Sequence, residues 1–121
     1  MEKSKSIVMN KAYAFSIHII GLCKDMQSQK KEYVLSKQLL RSGTAIGALI
    51  MEGEHAQSKA DFLNKMNVAL KEANETKYWL MLLHDTGYID DRTFEAFSPD
   101  IKEILRLLVS IVKTTKNRLN R

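Results

Sequence analysis

Apolar residues along this chain recur every three or four positions, in four stretches separated by short polar breaks. In the first, residues 6–29, Val8, Ala12, Phe15, Ile19, Leu22, Cys23 and Met26 fall on a stripe about 100° wide at helical pitch. Ile7, Tyr13, Ile17 and Ile20 lie off that stripe and point to a second contact. The second stretch, residues 33–54, places Leu35, Leu39, Ser42, Ile46, Leu49, Ile50 and Gly53 on one face. In the third, residues 58–86, Phe62, Met66, Ala69, Ala73, Thr76, Leu80 and Leu83 lie within roughly 60° of one another. A second arc of about 80° carries Val68, Glu72, Glu75, Trp79 and Leu82, where plain polar surface is the rule. A helix with two occupied faces is either central in its domain or touches a second subunit. The fourth stretch, residues 98–119, has Ile101, Ile104, Leu105, Leu108, Ile111, Val112 and Leu119 as its apolar face.

Local signals set the boundaries. Ser58 and Asp61 have capping-box spacing before an apolar run, so the hydroxyl can accept from a free N–H of the first turn. Gly87 suits a left-handed helix stop. Ser98-Pro99-Asp100 reads as a helix start, with a capping serine and proline at the first helical position, and residues 90–97 as a separate short turn. Gly43 and Gly47 lie one turn apart within a helix that each weakens by roughly 1 kcal/mol relative to alanine. Either they are merely tolerated or another helix approaches closely there. No stretch alternates with period two, and no Asn-Gly or Asp-Gly hairpin turn occurs. The pattern predicts one all-α domain over residues 1–121, an up-and-down four-helix bundle.

Composition changes this picture little. The 45% apolar fraction is that of a folded globular chain rather than a disordered one. A single cysteine, Cys23, excludes an internal disulfide and fits a reducing compartment; on an apolar stripe it reads as a small core residue. The N-terminus lacks the continuous apolar core of a signal peptide, and no apolar run approaches the ~18 residues of a membrane span. The expectation is a soluble, cytoplasmic protein without membrane attachment. The net charge of +5 hints at an anionic partner but also serves solubility.

Catalytic and metal chemistry find little support. Glu52 and His55 have Glu-x-x-His spacing, but a di-iron bundle needs that motif on two helices plus further inward glutamates, and no second copy exists. His18, His55 and His84 are isolated, and no phosphate loop, Cys-x-x-Cys pair or nucleophile elbow is present. The expectation is a non-enzyme with no metal and no cofactor, in which Glu72 and Glu75 pair with a basic group on a neighbouring helix. Lys59, Lys65, Lys71 and Lys77 spread around their helix and form no stripe. The last helix differs: Lys102, Arg106, Lys113 and Lys116 fall within about 100°, interrupted chiefly by Val109. Favourable placement of cations at a helix C-terminus accounts for Lys116 but not for Lys102 near the start. This column, joined by Lys37 and Arg41 if they share its surface, is the candidate nucleic-acid footprint.

RSGTAIGALIMEGE, followed by SKADFLNKMNVALKEANETKYWLMLLHDTGYI, resembles the signature of bacterial four-helix-bundle proteins encoded in intervening sequences of 23S ribosomal RNA genes. VMNKAYAFSIHIIGL fits the same family more loosely. Arg41-Ser42, Glu52-Gly53, Ser58-Lys59 with Phe62, residues 69–73 and Gly87-Tyr88 are its most specific parts. The chain departs from the family at Leu49 and Met51, where many members carry asparagine and alanine. The resemblance implies a homopentameric ring and points to RNA or other nucleic acid. It extends to the accessory proteins of diversity-generating retroelements, which implies a reverse transcriptase-like or other protein partner. Together these readings give a non-enzymatic, self-associating bundle that binds nucleic acid, with Val68, Glu72, Glu75, Trp79 and Leu82 as its subunit interface. The alternative is a protein–protein assembly module that binds none.

Overall fold

The computed structural model describes residues 6–120; residues 1–5 and Arg121 lie outside the described part. The described residues form α1 (Ile7–Gln29), α2 (Val34–Glu54), α3 (Lys59–Asp85) and α4 (Asp91–Leu119), with no strand among them. Each helix packs against the next in chain order, and α4 closes the bundle against α1 along its loosest seam. The diagonal pairs, α1 with α3 and α2 with α4, make no close backbone approach. This is the up-and-down bundle that the periodicity implies.

The helix starts are chemical. Ser6 Oγ accepts from the Met9 N–H at 3.2 Å, and Ser58 Oγ accepts from the Asp61 N–H at 3.0 Å. Asp61 returns the favour by accepting from the Gln57 N–H at 3.3 Å. α2 has no side-chain cap from Tyr33; Glu32, one residue earlier, accepts from the Ser36 N–H at 2.8 Å instead. α3 stops where Gly87 takes φ +83°, which lets the Tyr88 N–H reach back to the Leu83 carbonyl at 2.9 Å. The predicted stripes become the core. Phe15, Ile19, Leu39, Ile46, Met66, Leu80, Ile104 and Leu108 are fully buried, each worth about 1.5–3 kcal/mol of transfer free energy. Leu22, Leu35, Leu49 and Phe62 pack at its margin, and Leu119 is exposed.

Gly43 is where helix approach demands glycine. A Cβ there would stand 3.0 Å from Ile19 Cγ2 and 3.1 Å from Cγ1, both on a buried β-branched side chain. Gly47 is different: its Cβ would meet the Ala12 backbone carbon at 3.7 Å and nothing closer than 3.5 Å, ordinary contact.

One boundary differs from the sequence expectation. The fourth helix begins not at Ser98 but at Asp91, and Pro99 lies inside it. Asp90 is the cap: its Oδ1 accepts from the Thr93 N–H at 2.8 Å. A proline inside a helix removes a hydrogen bond and costs about 3 kcal/mol. Packing of the preceding turns offsets that cost. Phe97 meets Phe15 edge-on with ring centroids 6.0 Å apart, and Phe94 stacks on His84 of α3 at 4.2 Å. His84 Nε2 also lies 2.7 Å from Asp91 Oδ1, which ties the end of α3 to the first turn of α4.

Candidate nucleic-acid interface

Lys102, Arg106, Lys113 and Lys116 all stand exposed along the outer side of α4. Their spacing holds them there because Ile101, Ile104, Leu108 and Val112 turn the opposite side into the core. Lys102, Lys113 and Lys116 have no ion pair among the described residues. Arg106 is held loosely, 3.6 Å from Glu103 Oε2. Glu103 itself is claimed from the other side by Lys11 of α1, at 2.5 Å, and that hydrogen bond holds its carboxyl below the usual range. Val109, half exposed, breaks the column in the middle. No aromatic side chain interleaves the four cations, so the column offers charge without a stacking platform.

The other two candidate cations do not join it. α2 and α4 are diagonal in the bundle, so Lys37, exposed and without an ion pair, belongs to a different side. Arg41 is taken up within the chain. Its guanidinium donates to both oxygens of Glu72, at 3.1 and 2.9 Å, and to Glu75 Oε2 at 2.5 Å. These bonds raise the guanidinium's proton affinity and lower the Glu75 pKa. The Trp79 indole N–H completes the cluster by donating to Glu75 Oε1 at 3.3 Å. The expectation that Glu72 and Glu75 pair with a basic group of a neighbouring helix therefore holds, and the group is Arg41.

The same geometry relocates the second arc of α3. Val68, Glu72, Glu75, Trp79 and Leu82 are all half-buried, and its two glutamates are engaged by α2. Other large apolar groups stand more open to solvent than this arc. Tyr13, Ile17 and Ile20 on α1 are exposed, as are Tyr78 and Met81 on α3. Sequence reasoning marked the α1 set as lying off the core stripe and missed the α3 pair. Tyr78 and Met81 share an outward line with Lys71, Asn74 and Asp85 at helical spacing, which is the signal that finds them.

Acid, base and metal chemistry gain no geometry here. Among the described residues no three His, Cys, Asp or Glu side chains come together as a metal-ligand group, and Glu52 faces Lys65 at 3.6 Å. Cys23 is buried, donates its S–H to the Ser36 carbonyl at 3.3 Å, and has its pKa pushed up to about 11 by desolvation, the opposite of an activated thiol. No helix among the described residues is long and apolar enough to cross a membrane.

Residues 4–110 match the family described as 23S rRNA-intervening sequence protein. The fold is also that of a solved protein of unknown function from the S23 ribosomal protein family of Bacteroides thetaiotaomicron. The TM-score is 0.87 and the sequence identity 53%, over 88% of this chain and 99% of that one. No curated protein matches the chain.

Proposed function

The chain belongs to the 23S rRNA-intervening sequence protein family, and from that premise we propose a non-enzymatic, self-assembling bundle that binds RNA or DNA through phosphate. The observation that carries this reading is the exposed α4 column of Lys102, Arg106, Lys113 and Lys116, three of them without an ion pair among the described residues. Four cations along one side of a helix, only Arg106 loosely paired among the described residues, cost stability through mutual repulsion and fit a polyanion. The multiplicity proposed is the ring of five copies that the family resemblance implies. One column makes only a few weak contacts. Several linked columns reached by one strand gain affinity through effective concentration. The lack of an interleaved aromatic makes the contacts electrostatic and indifferent to base sequence. Arg41 drops out of the phosphate-binding set because Glu72 and Glu75 hold it.

Charge reversal at Lys102 and Lys113 together tests the proposal, since neither side chain has an ion pair among the described residues whose loss would disturb the fold. The double variant should bind RNA and DNA of every sequence about tenfold or more weakly, with unchanged circular dichroism and unchanged assembly mass. Undiminished binding, or a loss confined to one sequence, would remove the column from the interface. A wild-type protein that binds neither nucleic acid at low salt would favour the protein-assembly reading, to which exposed Tyr13, Ile17 and Ile20 lend support.

A further inference from the structure

We infer that copies of this chain join head to tail, the outer face of α1 on one copy docking in parallel against the outer face of α3 on the next. The inference rests on the self-assembly proposed above and identifies the two surfaces that would carry it. On α1, Asn10, Tyr13, Ile17, Ile20 and Lys24 form one exposed line. On α3, Lys71, Asn74, Tyr78, Met81 and Asp85 form another. Both lines step by three, four, three and four residues, so a parallel alignment brings their side chains level along the whole length. Ile17 then lies opposite Tyr78, and Ile20 opposite Met81, four large apolar groups that are between 41% and 57% exposed in the single chain.

Charge selects the direction. In parallel register Lys24, which has no ion pair among the described residues, faces Asp85, whose one ion-pair approach among those residues is to His84 Nδ1 at 3.6 Å. Antiparallel register would set Lys24 against Lys71, a repulsion. The fold agrees with that choice. In an up-and-down bundle α1 and α3 run the same way and occupy diagonal corners without close backbone approach. Copies related by rotation about an axis along the bundle therefore present α1 and α3 to one another in parallel. A contact between two different faces of the same chain is heterologous, and such contacts close into rings when the rotation allows. Lys102 lines one groove with Met81 and so borders the α3 face, whereas Arg106, Lys113 and Lys116 follow it along α4, off both lines, and assembly leaves them open to a polyanion.

The test is a charge swap read by light scattering and dilution on a sizing column. Lys24→Glu and Asp85→Lys should each raise the concentration for half-assembly about tenfold, and the double variant should restore it. Ile17→Asp should also dissociate the assembly while circular dichroism stays helical, because Ile17 is 54% exposed and outside the core. A folded Ile17→Asp protein that assembles as the wild type does would overturn the inference. So would single reversals without effect, or a double variant that fails to recover; in each of these cases self-assembly itself still stands. A wild-type chain that stays monomeric at every concentration would sink both the inference and the assembly reading beneath it.

Discussion

Gly43 and Gly47 are one turn apart on α2, face the same neighbour, and should respond oppositely to alanine. At Gly43 the new methyl would press on buried Ile19 at 3.0 Å, and a β-branched side chain in a packed core has little room to turn. Overpacking of this kind costs about 1–3 kcal/mol, more than the roughly 1 kcal/mol gained in helix propensity. At Gly47 the methyl would find ordinary contacts, so only the propensity gain remains. Urea unfolding should therefore show Gly43→Ala less stable than the wild type and Gly47→Ala as stable or more so, by up to about 1 kcal/mol. Equal effects would mean that α1 and α2 approach differently. The sequence left close approach and mere tolerance open for both glycines alike and could not separate them, because the distinction lies in which α1 atoms stand opposite. Arg41 shows the same boundary. Its position on α2 and the two glutamates of α3 were visible, and so was the need for a basic partner. That these groups meet depends on the rotation of α3 about its axis, which periodicity within one helix does not set.

The helices themselves were legible almost throughout. Ser58 with Asp61 and the glycine at 87 marked the limits of α3, and the core stripes of α1 to α4 follow the spacing of apolar residues. The exception is the start of α4. Ser98-Pro99-Asp100 has all the local marks of an N-terminus, yet the helix begins at Asp91, because Phe94 and Phe97 gain tertiary contacts with His84 and Phe15 that local rules do not see. The two starts make different demands on their caps. Asp90→Ala should cost about 1 kcal/mol by removing the acceptor for the Thr93 N–H. Ser98→Ala should change stability by less than about 0.5 kcal/mol, the usual effect of a substitution that breaks no cap or core contact. Chemical denaturation of the two variants checks this, and the reverse order of effects would restore the start at Ser98.

At the scale of the whole molecule, the four helices present three kinds of surface, the cationic one meeting the α3 line where Lys102 and Met81 share a groove. The α2–α3 side is held by the Arg41 clasp, the outer lines of α1 and α3 carry exposed apolar groups between polar ends, and the outer side of α4 is cationic. Fold and basic column could be read from the sequence, whereas the clasp and the exposed Tyr78 and Met81 required the packed bundle. The claim that most needs testing is that phosphate, gathered by several copies at once, is what the α4 column binds. The measurement is the affinity of the assembled protein for a labelled single-stranded RNA, taken from about 50 to about 200 mM salt. One column of four cations would give a slope of log K against log salt of about −3. The expected result is a steeper slope, the same for RNAs of unrelated sequence, because one strand engages columns from more than one copy. A slope near zero, or no binding at the lowest salt, would contradict it.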